Sequence, residues 1–338
     1  MQYIPTLERA GFDVEVASLF DKHYLDALYS GQRAKMPMIR SFGRRIKALC
    51  RTGNFDLIWL EKEALPWLPA VIERTLMSSR TPVVVDYDDA IFHRYDQSRN
   101  GAIRWLLGDK IDRVMSNSVL VTAGNDYLGQ RARGAGARQI EIVPTVVDLE
   151  AYQVAPAVTE QSSLRVGWIG TPQTWQELAQ PTHSLLKPVL ENHGATFRAI
   201  GAALEPRSGE HLEILPWTEA REVELIQTMD IGVMPLPDTP WTRGKCGYKL
   251  IQYMACGLPV VASPVGVNSE IVEHGVNGFL ASTDAEWRKA ITTLLQDPDL
   301  RRNMGVAGRQ KVEREYSLQV WAPKLSISLR DVVRSKFQ

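Results

Sequence analysis

The sequence contains little cysteine and no long apolar run. Only three of its 338 residues are cysteine, at Cys50, Cys246 and Cys256, and their spacing fits no metal site. This pattern excludes a disulfide framework and is typical of a reducing compartment. No apolar stretch approaches the roughly 20 residues that cross a bilayer, and the N-terminus lacks the apolar core of a signal peptide. We therefore predict a cytoplasmic protein, soluble or peripheral at the inner face of the membrane.

Neither sign of charge is in excess. The chain has 39 lysine and arginine residues against 39 aspartate and glutamate residues, for a formal net charge of zero. Proteins that bind nucleic acid usually carry a basic excess, so we expect no nucleic acid partner. The length is sufficient for about two domains, each with its own hydrophobic core.

Residues 242–281 contain the densest structural pattern. Residues 248–256 have apolar side chains at helical spacing, and Gly257 stands where a helix C-cap belongs. Residues 259–263 form a short β-branched run that is typical of a strand buried in a parallel sheet. Another short helix and another strand follow. This βαβ order places the loops at the carboxyl end of a sheet, where open α/β sheets bind ligands.

The run KLIQYMACGLPVVASPVGVNSEIVEHGVNGFL, residues 249–280, resembles the donor-nucleotide half of the retaining, family-4-type glycosyltransferases of the GT-B fold. Those enzymes typically show K-L-x-E-Y-M-A-x-G-x-P-V-V-A-S, then G-x-x-E-I-V and N-G-F-L. The resemblance implies an α/β protein with two Rossmann-like domains facing a cleft. It also implies sugar transfer from a nucleoside diphosphate donor to a glycan or lipid-linked acceptor, with no metal cofactor.

The domain layout follows from composition and from this resemblance. We assign residues 1–153 to an acceptor-side domain and residues 164–316 to a donor-binding domain, with a polar, proline-bearing linker between them. The resemblance implies that a last helix, residues 317–338, crosses back to the first domain. A helix at residues 1–11 and a strand at 14–19 open the chain. The strand and glycine-rich turn that normally precede them are missing, so either the start codon is assigned too late or the sheet has exposed edges.

Residues 33–51 carry seven basic residues and no acidic one, with Ile39, Phe42, Ile46 and Leu49 at helical intervals. This pattern predicts a basic amphipathic helix. One interpretation is a contact with a membrane surface or a lipid phosphate, as expected for a lipid-linked acceptor. The other is an ordinary helix with a solvated, charged face.

The predicted strand at residues 82–86 ends in a cluster of carboxylates. Asp86, Asp88 and Asp89 follow one another at the carboxyl end of a sheet, where such a cluster is costly unless it is used or compensated. Asp88 or Asp89 is a candidate acceptor contact or base. The alternative is a helix N-cap with an ion pair to Arg94. His93 is a candidate proton carrier or a structural histidine.

The second domain opens with a strand at residues 164–169 and a turn at Gly170 and Thr171. The next helix points its N-terminus toward the expected diphosphate. Relatives follow this turn with an arginine and a lysine that hold the diphosphate, and this chain has neither. We therefore predict that Arg243, Lys245 and Lys249 supply the charge, the alternative being a mobile basic loop.

Relatives also carry two glutamates separated by seven residues. The second falls on Gln252, whose amide oxygen can accept a hydrogen bond from a ribose hydroxyl. The first falls on Gly244, which has no side chain. Asp238 or Glu270 could supply the missing carboxylate.

The remaining candidates concern the sugar, the phosphates and the base. The backbone N–H groups of Gly266, Val267 and Asn268 could bind the sugar or phosphate. Trp217 follows the predicted strand at 211–215, where relatives hold the base, and it either stacks on the base or walls the pocket.

These patterns predict a retaining glycosyltransferase of glycan, glycolipid or polysaccharide synthesis. Two alternatives remain open at this point. One is a sugar-nucleotide epimerase on the same fold, and the other is a non-catalytic partner protein, suggested by Gly244 and by the missing strand.

Overall fold

The structure is a computed structural model, and it describes residues 2–20, 35–154, 163–202, 207–209 and 211–335. The chain divides into two compact units. The first contains residues 1–144 and 322–338, and the second contains residues 145–321.

The first unit is an α/β unit around a small parallel sheet. Its strands are β1 Ile58–Glu61, β2 Val83–Tyr87, β3 Leu120–Ala123 and β4 Ile140–Ile142, in the spatial order β1-β2-β3-β4. Its helices are α1 Ile4–Arg9, α2 Lys35–Cys50, α3 Ala70–Leu76, α4 His93–Asp96, α5 Gly101–Leu107, α6 Lys110–Asn117 and α7 Asp126–Gly134. Strand β3 is buried along its whole length because helices cover both faces of a parallel sheet.

The second unit contains a larger sheet of seven strands. Its strands are β5 Arg165–Ile169, β6 Thr196–Ile200, β7 Arg207–Gly209, β8 Leu212–Leu215, β9 Ile231–Met234, β10 Val260–Ala262 and β11 Gly278–Leu280. They lie in the order β11-β10-β9-β5-β6-β8-β7, and β7 pairs antiparallel with β8 while the other pairs are parallel.

The helices of the second unit surround this sheet. They are α8 Pro172–Thr174, α9 Gln180–Asn192, α10 Glu222–Gln227, α11 Pro240–Arg243, α12 Tyr248–Ala255, α13 Asn268–Ile271, α14 Asp284–Gln296 and α15 Pro298–Glu315, with a π-helical turn at Trp175–Ala179. The last helix, α16 Leu318–Ser335, begins in the second unit. From residue 322 onward it belongs to the first unit, where Leu325 and Leu329 pack with Val84 and Leu120.

The central prediction for residues 242–281 is confirmed. Helix α12, strand β10, helix α13 and strand β11 follow in the expected order, and each lies within about one residue of its predicted position. The sequence patterns that specify these elements are local, since a helical face, a glycine after the helix and a β-branched run fall within forty residues.

The strand predicted at residues 14–19 is wrong. In the part of the chain that the structure describes, these residues form no strand, although Val14 packs against the core. Helix α3 begins only at Ala70, after Pro66 and Pro69, and Trp67 has a φ of 65°. Helices α5 and α6 are separated at Gly108 and Asp109.

Within the described part of the chain, no helix is both long enough and apolar enough to cross a membrane.

Candidate functional site

The predicted donor residues of the second unit gather at the carboxyl end of its sheet. Gly170 follows β5, Trp217 follows β8, and Gly266 follows β10. Helix α12 carries Lys249 and Gln252 and begins after Gly247. Gly247 has a φ of 67°, and a Cβ there would lie 2.2 Å from Ile271 Cδ1, so only glycine fits at the start of this helix.

A hydrogen-bonded cluster surrounds Gln252, and we call it the Glu222 network. The Gln252 amide donates to Glu222 Oε1 at 2.7 Å and to the Tyr152 hydroxyl at 2.6 Å. The Tyr152 hydroxyl donates to Glu222 Oε1 at 2.6 Å, and the Trp217 indole N–H donates to Glu222 Oε2 at 2.7 Å. Gln252 itself is only 2% exposed. Its amide nitrogen is therefore occupied within the protein.

Glu222 and Tyr152 were not predicted from the sequence. A carboxylate offers about four lone-pair positions, and three donors occupy Glu222, so one position on Oε2 remains open. Burial raises the pKa of Tyr152 well above its usual range, and the hydrogen bond to Glu222 raises it further. Tyr152 therefore remains a donor at neutral pH. The one sequence signal is that Glu222 follows Trp217 by five residues at the start of a helix.

Two loops and Trp217 form a wall beside this network. Gly201 has a φ of 74°, and a Cβ there would lie 2.3 Å from the Gly170 carbonyl oxygen and 3.1 Å from Trp217 Cβ. Trp217 is 48% exposed, so its ring is available to a planar ligand. Thr171 caps the following helix by accepting from the Thr174 N–H at 3.3 Å. The structure therefore brings Gly170, Thr171 and Trp217 together.

Lys249 lies on the other side of the Gly170 turn. Its Nζ is 5.5 Å from the centroid of the buried Trp168 ring. The same ring lies against Gly170, because a Cβ on Gly170 would be 2.4 Å from it. Helix α12 therefore links the Glu222 network to the turn that precedes α8.

The loop at residues 243–247, which we call the basic loop, contains an ion pair that the sequence did not predict. Arg243 holds Asp238 in a two-point contact, with Nε to Oδ1 at 2.6 Å and Nη2 to Oδ2 at 2.9 Å. The hydrogen bond from Arg243 lowers the pKa of Asp238. Asp238 offsets part of the charge of Arg243, and Arg243 and Lys245 both remain candidate cations of this loop.

The loop after β10 lies directly against the basic loop. A Cβ added to Gly266 would lie 2.7 Å from the Arg243 carbonyl oxygen, so the two backbones are in close contact. The Asn268 N–H donates to the Val265 carbonyl at 3.2 Å, so it is occupied. Among the described residues, no backbone carbonyl accepts from the N–H groups of Gly266 and Val267, which leaves these two for an anion.

The side chains that follow this loop differ in burial. The Asn268 side chain is 1% exposed and donates to the Ser263 carbonyl at 3.1 Å, so it fixes the loop. Glu270 is exposed in α13.

In the first unit, the predicted carboxylates have other partners than expected. Asp88 pairs with Lys62 at 2.8 Å, whereas the alternative interpretation of Asp88 or Asp89 was an ion pair with Arg94. Lys62 follows β1 with a φ of 63°, an uncommon conformation that is held at the carboxyl end of the sheet. His93 is bonded to Asp96 at 2.9 Å and to the Tyr127 hydroxyl at 2.8 Å, so it is part of a hydrogen-bonded chain.

Asp86 is the most perturbed of these carboxyl groups. Burial raises the pKa of Asp86 to about 6, a hydrogen bond from Thr122 opposes this effect, and the charges of Asp88 and Glu61 add to it. At neutral pH the protein therefore holds a costly buried charge here, of the kind that binding sites keep.

We expect Asp86→Asn to stabilise the protein, and to do so more at higher pH. A carboxyl whose pKa is about 6 when folded and 3.8 when unfolded binds its proton more tightly in the folded state, so stability falls as pH rises through this range. The advantage of the variant over wild type should be about 1 kcal/mol larger near pH 7.5 than near pH 5. Urea unfolding at both pH values measures it, and an equal advantage at both would contradict the raised pKa.

Helix α2 confirms the predicted helix over residues 35–50, residues 33 and 34 lying outside the described part of the chain, but its buried face differs from the apolar pattern. Ser41 and Leu49 are buried, whereas Ile39 is 64% exposed and Ile46 is 39% exposed. Arg40, Arg44, Lys47 and Arg51 are exposed as well. The helix therefore presents a mixed surface of basic and apolar side chains.

No group of three or more histidine, cysteine, aspartate or glutamate side chains within the described ranges could hold a metal ion.

The chain is similar to solved structures over most of its length. It resembles sucrose-phosphate synthase from Thermosynechococcus elongatus with a TM-score of 0.67 and 16% identity, over 90% of this chain and 80% of that one. It also resembles Anabaena Alr3699/HepE in complex with UDP, with a TM-score of 0.65 and 18% identity, over 86% of this chain and 82% of that one. Another structure of the Anabaena protein contains UDP-glucose. At these identities the likeness shows the fold, and the predicted GT-B α/β class is confirmed.

The sequence comparisons match part of the chain to a known family. Residues 163–297 match the family described as glycosyl transferases group 1. The chain is also 34% identical to alpha-maltose-1-phosphate synthase of Mycolicibacterium smegmatis over 281 residues, which is 78% of this chain and 62% of that protein. It thus spans less than two thirds of this relative's length. The matched segment contains the motif from which the resemblance to this group of enzymes was predicted.

Proposed function

We propose that this protein is a glycosyltransferase that moves a sugar from a nucleoside diphosphate donor to an acceptor hydroxyl, with retention of configuration, in glycan, glycolipid or polysaccharide synthesis. One observation carries the proposal. The Glu222 network, the Gly170 turn, the basic loop and the loop after β10 meet at the carboxyl end of one sheet, largely within the segment that matches the family. That edge is where open α/β sheets bind ligands.

Each part of this edge suits one part of the donor. The half-exposed Trp217 ring offers a surface for a base, and the open position on Glu222 accepts a ribose hydroxyl. Lys245 and Lys249, with the N–H groups of Gly266 and Val267, face the two phosphates, and Arg243 joins them if the phosphates displace Asp238. The negative charge that the family places at position 252 is thus supplied here by Glu222.

The proposed chemistry is electrostatic. As the sugar–phosphate bond breaks, negative charge develops on the leaving diphosphate, and fixed cations stabilise it. The diphosphate itself then takes the proton of the acceptor hydroxyl. In this proposal the cations of the chain do the work of a metal ion, and Asp88 and Asp89 of the first unit are the candidates for contact with the acceptor.

The first experiment is calorimetric titration of the chain with UDP, GDP and ADP. UDP is the first choice because the Anabaena structures contain UDP and UDP-glucose. We expect Glu222→Gln to weaken binding of the preferred nucleotide by at least about tenfold, because a hydrogen bond to a charged group is lost. The preference for the ribonucleotide over its 2′-deoxy or 3′-deoxy analogue should shrink in the same variant.

Glu224→Gln is the matched control for this titration. Glu224 lies on the same helix, but its side chain is 62% exposed and pairs with Arg221 at 3.1 Å. An equal loss of affinity for ribo- and deoxynucleotides in Glu222→Gln would contradict the ribose contact. A wild-type chain that binds none of the three nucleotides would contradict the donor site as a whole.

We also propose that the acceptor is lipid-linked and that α2 contacts an anionic membrane surface. The exposed Ile39 and Ile46 lie among basic side chains, which are worth about 1 kcal/mol each near such a surface. We expect the chain to float with vesicles of phosphatidylglycerol, and Ile39→Asp with Ile46→Asp to weaken flotation. Ile327→Asp is the control, since Ile327 is 61% exposed on another helix. An equal loss in the control, or no flotation of wild type, would contradict this contact.

A non-catalytic nucleotide-binding protein remains the second candidate, because Gly244 removes one carboxylate and Asp238 is paired with Arg243. Such a protein would bind the nucleotide, with the same dependence on Glu222, and never release it from a sugar donor. A sugar-nucleotide epimerase would instead change the sugar without any acceptor.

A further inference from the structure

A cleft of about 480 Å³ opens at the amino-terminal edge of the first unit's sheet. Residues just before three of its strands line it, namely Pro82 before β2, Ser118 before β3 and Arg138 before β4. All four strands run parallel, so their amino ends share one edge and their carboxyl ends share the other. Asp86 and Asp88 belong to the carboxyl edge. The cleft is therefore separate from the candidate acceptor residues of this unit.

Four arginines line this cleft, which we call the arginine cleft. Arg74, Arg80, Arg113 and Arg138 are all exposed at its surface. Arg113 is paired with Asp109 at 2.6 Å. Within the described residues, no ion pair involves the other three arginines. Because the chain has no net charge, this cluster is a local excess whose repulsion an anion would relieve.

The one acidic residue in the lining does not cancel this charge. Glu73 is 2% exposed and already paired inside the protein, with Lys110 Nζ at 3.0 Å. It also accepts from the backbone N–H groups of Ala64 at 3.2 Å and Leu65 at 3.0 Å. The arginine cleft therefore has a positive rim, and the carboxylate of Glu73 in its floor is buried and paired within the protein.

We propose that the arginine cleft binds a phosphate-bearing anion. A guanidinium presents two parallel N–H donors that match the spacing of phosphate oxygens, and several of them around one cavity suit a group with more than one negative charge. The volume lies within the range of about 300–1,000 Å³ that holds small ligands. Leu60, Met77 and Val114 add apolar lining for the organic part. A soluble phosphorylated metabolite and a phospholipid headgroup share this chemistry.

The test uses two probes and one double variant. Inorganic tripolyphosphate is titrated calorimetrically, and flotation is measured with vesicles of phosphatidylglycerol and phosphatidylcholine. The double variant Arg80→Ala with Arg138→Ala should lower the affinity for the affected probe by at least about thirtyfold, because each hydrogen bond to a charged group contributes about tenfold or more in affinity. Arg302→Ala with Arg314→Ala is the control, since these arginines are 72% and 63% exposed in the second unit.

Two further variants separate this site from the others. Lys245→Ala removes a candidate phosphate contact of the donor site, and it should leave the binding that depends on Arg80 and Arg138 unchanged. Ile39→Asp with Ile46→Asp separates vesicle binding through α2 from binding through the cleft. Loss of tripolyphosphate binding in the arginine variant would indicate a soluble ligand, and loss of vesicle binding alone would indicate a headgroup. Unchanged binding of both probes would overturn the proposal.

Discussion

Lys245→Ala is expected to lower turnover by about two orders of magnitude, because loss of one fixed charge contact in the transition state can cost this much. Lys245 is half-buried in the loop between α11 and α12. The neighbouring Arg243 is held by Asp238, at 2.6 and 2.9 Å, so its charge is already offset. We therefore expect Lys245 to contribute to stabilising the developing charge of the diphosphate.

The measurement is the release of UDP from UDP-glucose, with and without added acceptors, in the wild type and the variant. Lys289→Ala is the matched control, because Lys289 is exposed on α14. The affinity for free UDP should fall less than turnover does, since the charge on the leaving group is largest in the transition state. Near-normal turnover in Lys245→Ala would contradict the assignment of this loop.

A structural effect and a catalytic effect can be separated at this residue. Unfolding of Lys245→Ala should match the wild type within about 0.5 kcal/mol, as for most substitutions at exposed or half-exposed positions. Asp238→Asn provides a second check. It should release Arg243 toward the phosphates and so raise affinity for the nucleotide, whereas a purely structural role for the pair would not.

Lys110→Met is expected to destabilise the protein by about 3–5 kcal/mol, as the loss of one partner from a buried ion pair does. Lys110 is fully buried and lies between Glu63 and Glu73, with its ammonium also donating to the Leu65 carbonyl at 2.6 Å. The Tyr95 hydroxyl donates to Glu63 at 2.9 Å. Without the lysine, two carboxylates would face each other with little water to solvate them.

Urea unfolding measures this loss, and Arg113→Met is the matched control. Arg113 lies on the same helix, but its side chain is 63% exposed, so its pair with Asp109 should contribute about 1 kcal/mol or less. Adding Glu63→Gln and Glu73→Gln to Lys110→Met should restore much of the stability, because the unpaired charges are then removed. A loss in Lys110→Met no larger than in the control would contradict the role of this cluster.

The cluster around Lys110 also positions part of the candidate acceptor region. Glu73 accepts from the N–H groups of Ala64 and Leu65, in the loop that follows β1. The same loop begins with Lys62, whose ammonium pairs with Asp88. We therefore attribute the uncommon backbone conformation of Lys62 to a loop that the buried charges hold in place.

The sequence by itself determined the segment from α12 to β11 and its similarity to the glycosyl transferases group 1 family. Its signals are local, because helical spacing, the glycine after the helix and the β-branched run each act within a few residues. It also predicted that Trp217, Lys245, Lys249 and Gln252 lie toward one edge of a parallel sheet. That order follows from the βαβ connection, which places successive loops at the same edge.

Only the tertiary structure decided which side chains meet. Tyr152 and Gln252 are 100 residues apart in the chain, and Glu222 joins them through hydrogen bonds that no local pattern records. Lys62 replaced Arg94 as the partner of Asp88 for the same reason. Residues 14–19 have the composition of a strand but form none within the described residues, because a strand forms only where another strand offers its N–H and C=O groups. Contacts between residues that are distant in the chain depend on how the whole unit packs, and no short sequence pattern specifies them.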